Sequence, residues 1–331
     1  MTDASPVLVE ATRGDFVESL HRGAAVVCAP SGEVVAAWGD PARVVLPRSA
    51  CKMIQALPLV ESGAADAAGL TPRHLALACA SHQGAAIHTD LVGRWLASLG
   101  LGDEDLICGG HAPTDPEAAA LLIRAGRPFR RAHDNCSGKH SGFLTLTRHL
   151  RAGPDYVDPE HPVQRAVAAA VAETSGEDPH GFAVDGCSAP NFAMTLQGFA
   201  TALARFARPA EAFAGVRARA AERLVSAMIA HPELVAGEGR ACTGLMRAAG
   251  GAAAVKTGAE GVFAAILPGP GLGVALKIDD GAGRAAEVAL AAILARLGAV
   301  PAAALAPWLR PPIANRRGRV TGELRPAAAL A

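Results

Sequence analysis

Lysine is scarce in this chain. Of 31 basic residues only four are lysines (Lys52, Lys139, Lys256 and Lys277), and arginine supplies the rest. Where a generic positive charge suffices the chain uses arginine, so each lysine marks a place where an amine able to lose its proton has a use. Charge is scarce too: charged residues are 19% of the total, acids and bases balance at 31 each, and no basic run stands out. Nucleic acid is thereby excluded as an expected partner. No apolar stretch reaches the roughly 18 residues of a membrane span, and the apolar run 196–204 is broken by Gln197 and Thr201. The opening MTDASPVLVEATRGD is acidic and lacks the charged-then-apolar order of a secretory signal, which predicts a cytoplasmic protein. The seven cysteines form no Cys-x-x-Cys pair and are odd in number, so reduced thiols are expected. Cys28 and Cys79, in AAVVCAP and LALACA, read as small buried hydrophobes. Internal repeats and convincing linkers are also missing.

What is present is a large apolar fraction, 50% of 331 residues, enough for one large domain or two intimately packed lobes. β-branched and apolar runs predict strands at 6–11, 24–29 and 34–38, with Pro30-Ser31-Gly32 turning the last two into a hairpin. From Ser49 the spacing becomes helical, with helices expected at 72–80, 89–99, 116–125, 138–150, 162–173, 189–207 and 210–229. Strands return at 252–257, 262–267 and 273–278; a helix at 287–297 and a short strand at 319–324 follow. The pattern predicts an α+β fold: a mixed or antiparallel sheet built from both chain ends, covered by helices. Its single domain, 1–331, would hold a sheet lobe (about 1–48 and 250–331) and a helical lobe (about 49–249). GPGLG at 269–273 joins two strands and opens no helix, so it is no dinucleotide fingerprint.

Three segments carry chemistry. In PRSACK (47–52), Ser49 and Lys52 have the Ser-x-x-Lys spacing that sets both side chains on one helical face. A neutral lysine there can take the serine proton and create a nucleophile for acyl transfer, whereas an N-cap serine followed by a surface lysine would look the same. KTGAEG (256–261) is a strand edge turning at glycine; Ser-x-x-Lys early and Lys-Thr-Gly late is the order found in serine β-lactamases and penicillin-binding proteins. HDNCSGKHSG (133–142) packs a thiol, two imidazoles, an amine and a carboxylate into ten residues, and DGCSAPN (185–191) is a second polar loop before a helix. Cys136 and Cys187, with His140 four positions beyond Cys136, suit zinc or the wall of a polar site.

With VESLHRG (17–23), LPRSACKMIQALPL (46–59), ACASHQG (78–84), CGGH (108–111), HDNCSGKHSGFL (133–144), VDGCSAPNFAM (184–194) and KTGAEG (256–261), the chain resembles the asparaginase II family over nearly its whole length. That family is typified by a rhizobial inducible, zinc-containing asparaginase. The resemblance implies a serine β-lactamase/glutaminase-like fold, hydrolysis of the L-asparagine side-chain amide, and a homodimer. It implies two Ser–Lys pairs, Ser49 with Lys52 and Ser81 with Lys256, and a zinc ion held by Cys136, Lys139 and Cys187. Coordination chemistry would choose His140 over Lys139, because an ammonium must lose its proton before binding metal. No Ser-x-Asn element of the lactamase kind lies between the outer motifs, where HDNCSGK stands instead. A free amino acid needs charge partners: Asp185 is the candidate for its ammonium and Arg48 for its carboxylate. His140 and His82 are further substrate-binding candidates, and Cys242 and Thr243 weaker site candidates. The rival readings are a β-lactamase or penicillin-binding-like hydrolase and a non-catalytic zinc-binding relative.

Overall fold

The computed structural model describes residues 5–330; residues 1–4 of the acidic opening and residue 331 of the expected domain lie outside them. Two compact units divide the chain. One takes residues up to Ala50, Met194–Ala212 and everything from Gly244 on; the other takes Cys51–Ala193 and Phe213–Thr243. The segment Met194–Ala212, expected in the helical lobe, thus falls with the sheet. Its helix, Leu196–Ala207, is buried except at Gln197 and Arg205, and an apolar helix of that kind must be covered on nearly all sides.

The first unit carries β1 (Val7–Arg13), β2 (Phe16–Cys28), β3 (Val34–Trp38) and the two-residue β4 (Val44–Val45). β5 (Phe182–Val184) and β6 (Pro190–Phe192) form a separate hairpin in the second unit, while β7 (Met194–Thr195) pairs with β4. The late strands are β8 (Ala254–Thr257), β9 (Val262–Leu267), β10 (Leu272–Ile278), β11 (Pro312–Ala314) and β12 (Val320–Pro326). The main sheet runs β11-β12-β1-β2-β10-β9-β8, with β3 also on β2, so strands from both chain ends interleave. Every ladder in it is antiparallel. All six residues of β9 are buried, so both faces of the sheet are covered there. Helices Leu196–Ala207 and Gly283–Arg296 lie against β9 and β10. Gly273 on β10 explains the close approach of the first helix: a Cβ there would overlap the Ala200 carbonyl and the Ala204 nitrogen.

The second unit is built around the helix Lys52–Glu61, in which Lys52 through Val60 are all buried. Helices Ser137–Leu150, Pro162–Ser175 and Gly215–Ala230 surround it. Burying Met53, Ile54, Leu57 and Leu59 contributes about 1.5–3 kcal/mol each. That driving force holds Lys52, at the head of the same helix, away from water.

Two expected helices are corrected. The stretch 189–207 opens with β6 and β7, and helix begins only at Leu196, where Thr195 Oγ1 accepts the Gly198 N–H at 2.8 Å as an N-cap. The stretch 210–229 divides into Pro209–Ala212 and Gly215–Ala230. Among the described residues, no helix is long and apolar enough to cross a membrane.

Candidate active site

In the first unit, Ser49 sits in a 3-10 turn, Arg48–Cys51, that runs directly into the Lys52 helix. Arg48 opens this turn at a φ of 52°, left-handed backbone that a non-glycine side chain rarely adopts. Gly258, the glycine of Lys-Thr-Gly, follows β8 and lies against the same turn: a Cβ would stand 2.7 Å from the Pro47 carbonyl oxygen and 3.3 Å from Ala50 Cβ. Glycine there lets the strand end carrying Lys256 pack beside the Ser49 turn. Lys256 is 1% exposed and donates to the Thr257 carbonyl at 2.8 Å. Three of the chain's four lysines are thus buried, Lys52, Lys139 and Lys256. Burial of so costly a group argues for a role that an exposed charge could not fill.

In the second unit Lys52 is fully buried, and its Nζ is surrounded by acceptors. It donates to the carbonyl of Ala80, lies 3.4 Å from that of Asn135, and stands 3.1 Å from Cys136 Sγ. Ser81, also buried, follows Ala80 in this loop, and its N–H donates to Val235 O at 2.9 Å. His82 is committed at both ring nitrogens: Nδ1 accepts the Gly84 N–H at 3.1 Å and Nε2 pairs with Ser137 Oγ at 2.9 Å. That leaves His82 no nitrogen for a substrate, so it ties two loops together instead. Burial, then neighbouring His88 and Lys52, push its pKa well below the ordinary value, and the ring is neutral.

Cys136, Lys139, His140 and Cys187 converge in the same unit, all buried. Gly138 permits the first part of this convergence, because a Cβ there would overlap the Leu77 carbonyl of the neighbouring helix Pro72–Ala78. Lys139 Nζ donates to Cys187 Sγ at 3.0 Å. The neighbouring Cys187 sulfur raises the Cys136 pKa, and the Cys136 sulfur in turn lowers that of Cys187. Burial works against the Lys139 charge, but the Cys187 and Cys136 sulfurs outweigh it and lift its pKa. Burial pushes the His140 pKa down to about 4. Its Nδ1 lies 3.0 Å from Tyr156 Oη, whereas Nε2 makes no hydrogen bond of ordinary geometry although the Cys187 sulfur is an electrostatic neighbour.

Cys187 lies on the turn Asp185–Ser188, closed by the Ser188 N–H donating to Asp185 O at 2.8 Å. Ser188 holds a φ of 70°, a second left-handed non-glycine residue at a proposed site position. Asp185 is partly exposed, and its charge reaches the Lys139 ammonium. Thr243 is buried and spends its hydroxyl on the carbonyls of Pro232 and Gly237, at 3.0 and 2.6 Å. Cys242 is buried as well.

Two thiols, an amine and a buried nitrogen without a partner are a donor set that suits zinc. Among the described residues no group of three drawn from His, Cys, Asp and Glu is arranged to hold a metal. Sequence reasoning passed over two contributors. Asn135 offers its carbonyl to Lys52 and its Oδ1 to the Cys136 S–H at 2.9 Å; Tyr156 comes from a segment with no motif. Only Asn135 had a signal, its place inside HDNCSGK.

The chain ends build an antiparallel sheet whose Lys-Thr-Gly strand end lies beside the Ser49 turn, and the middle of the chain buries amines among thiols, the arrangement of an α+β fold. The chain belongs to the L-asparaginase II family, whose model matches residues 9–326. No curated protein matches the chain. Among solved structures it is similar to Mglu in its native form, at 14% identity and a TM-score of 0.47 over 83% of this chain and 63% of that one. It is also similar to a putative beta-lactamase from Bacteroides dorei DSM 17855, at 12% identity and a TM-score of 0.41 over 77% and 84% of the two chains. A beta-lactamase from Mycobacterium bovis matches at 16% identity and a TM-score of 0.39 over 83% and 94%. The chain spans only 63% of the length of Mglu, and likenesses at these scores bear on neither substrate nor mechanism.

Proposed function

We propose that the chain is an L-asparaginase that hydrolyses the side-chain amide of L-asparagine through a serine acyl-enzyme, acting as a cytoplasmic homodimer. The observation that carries this reading is the full burial of Lys52 at the head of the helix that follows Ser49, in a chain whose family is that of the asparaginases. Ser49 Oγ attacks the carboxamide carbon and passes its proton to the Lys52 amine. Lys52 returns a proton to the departing nitrogen, which leaves as ammonia. Water then attacks the aspartyl ester, giving a proton to Lys52, and Lys52 passes it to the departing Ser49 Oγ as aspartate is released. The carbonyls of Ala80 and Asn135 and the Cys136 sulfur hold the Lys52 nitrogen in place. Ser81 and Lys256 form the second Ser–Lys pair and relay protons. Asp185 meets the substrate ammonium, and Arg48 its carboxylate as a fork.

Cys136, Lys139 and Cys187 would hold a zinc ion, which supplies a fixed positive charge beside the substrate when bound. His140 Nε2 then has a polar neighbour to orient. Ammonia release from L-asparagine, measured beside L-glutamine and beside nitrocefin hydrolysis, tests the substrate. Turnover of asparagine with no nitrocefin cleavage is expected; nitrocefin cleavage without ammonia release would overturn the reading in favour of a lactamase, and neither activity would leave a non-catalytic relative.

A further inference from the structure

Lys277 is the one lysine to which the proposed chemistry gives no part. It stands near the end of β10, half-buried, across the ladder from Val262 at the start of β9. Between β8 and β9 lies the turn 258–261, which completes the Lys-Thr-Gly motif. Its last two residues, Glu260 and Gly261, both hold left-handed backbone, at φ 56° and 70°. That conformation is costly for the non-glycine Glu260 and persists only where the surroundings fix it. Lys277 supplies such fixing: Nζ donates at 2.6 Å to the carbonyl of Glu260 and at 2.6 Å to that of Ile278. Beside it the Ile278 N–H donates to Gly261 O at 3.0 Å, and the Gly258 N–H closes the turn onto Val262 O at 2.8 Å. A Cβ at Gly261 would stand 2.9 Å from Ile278 Cβ, so the turn lies directly on the end of β10. At the other end of the turn, Gly258 abuts Pro47 O and Ala50 Cβ, which flank Ser49 in the chain.

We propose that Lys277 is a positioning residue of the Ser49 site: its ammonium clamps the Glu260 and Ile278 carbonyls together and so holds the turn that Gly258 presents to the Ser49 turn. This rests on the reading of Ser49 as the nucleophile. All of these residues lie in the first unit. Two carbonyl oxygens converge there on a single atom. An ammonium carries its three hydrogens on one nitrogen, whereas a guanidinium spreads five over a planar fork. A compact nitrogen is thus the reason for a lysine at 277 in a chain that elsewhere uses arginine for charge. A role confined to the surrounding ion network, with Arg43 and the carboxylates of Glu260, Asp279 and Asp280, would be met equally well by arginine.

Two variants test this. Lys277→Met keeps the stem and removes the ammonium; Lys277→Arg keeps the charge and removes the compact nitrogen. Ammonia release from L-asparagine is measured for both beside the wild type, well below their melting temperatures, together with amide hydrogen exchange across the turn. Both variants are expected to lose about 10–100-fold in kcat with KM within about twofold of the wild type, because a displaced turn misplaces the nucleophile more than it weakens binding. The Gly258, Val262 and Ile278 amides should exchange faster. A lysine that only stabilises the fold would lower the melting temperature and leave the kcat of folded enzyme alone, so an unchanged kcat in Lys277→Met overturns the proposal. Wild-type turnover in Lys277→Arg overturns it in favour of the ion network, and so does exchange at those three amides that neither variant alters. Should Lys277→Met not fold, Lys277→Arg carries the decision. A wild-type protein that releases no ammonia defeats the asparaginase reading separately, and exchange in the two variants still decides whether Lys277 holds the turn.

Discussion

At the scale of the residue, Lys52 shows what a buried amine requires. Two carbonyls and a thiol surround its nitrogen, and none brings a full negative charge while Cys136 keeps its proton. Arginine would keep the charge, lose any accessible neutral form, and spread five N–H groups where one compact nitrogen fits. Lys52→Arg is therefore expected to lose about as much turnover as Lys52→Ala, on the order of 10²–10⁴-fold, in an ammonia-release assay. Near-normal turnover in the arginine variant would remove Lys52 as the general base. The metal residues separate in the same way. Elemental analysis of purified Cys136→Ser and Lys139→Ala should find zinc lost, and of His140→Ala should find it kept; zinc lost with His140 but kept without Lys139 would reverse the ligand assignment. Ser49, Lys52, Lys256, Cys136 and Cys187 were singled out because each stands in a short motif, and Ser81 and Lys139 because the family resemblance points to them. Tyr156 was not, because its partners Ile107 and His140 are brought to it by tertiary packing that no spacing announces.

At the scale of the element, the contact between Gly258 and the Ser49 turn sets the Lys-Thr-Gly strand end beside that turn within the first unit. The obstructing atom is the backbone oxygen of Pro47, which cannot swing aside as a side-chain end can. Gly258→Ala should cost about 1–3 kcal/mol of stability and lower turnover by displacing the turn that carries Ser49. Gly93 supplies the contrast. It lies on the exposed side of helix Ala86–Ser98 with nothing within 4 Å of its missing Cβ, so Gly93→Ala should raise stability by about 0.5–1 kcal/mol and leave activity alone. Thermal melts and ammonia release on both proteins check the pair; equal effects would deny Gly258 its close-approach role. The late strands were legible as apolar runs, and β9 matches its expected bounds. The polar half of β2, residues 16–23, was not, because it alternates charge with exposed apolar side chains and takes its strand form from pairing with β1. The two-residue β7 is too short for periodicity to mark, and so 189–207 read as one helix.

At the scale of the whole molecule, buried histidines set the acid limit of stability. Burial holds the pKa of His82, His88 and His140 below the ordinary 6.5. Each ring is neutral in the fold, whereas the unfolded chain protonates it below that pH. Their contribution is thus complete above about pH 6.5 and is lost as pH falls, by up to about 1.4 kcal/mol per pH unit for each group. Melting temperature should be flat above neutrality and fall toward pH 5; a melting temperature that rises on acidification would contradict the neutral assignments. The division of labour between chain ends and middle was legible from where the β-branched runs lie, while the transfer of Met194–Ala212 to the sheet unit follows from packing alone. The central claim is that this is an amidohydrolase whose nucleophile is Ser49. Its most direct test is ammonia release from L-asparagine by Ser49→Ala beside the wild type, with melting curves for both. The account predicts a kcat lower by about 10³-fold or more at an unchanged melting temperature; a variant that melts normally and keeps about a tenth of wild-type turnover would contradict it and pass the role to Ser81.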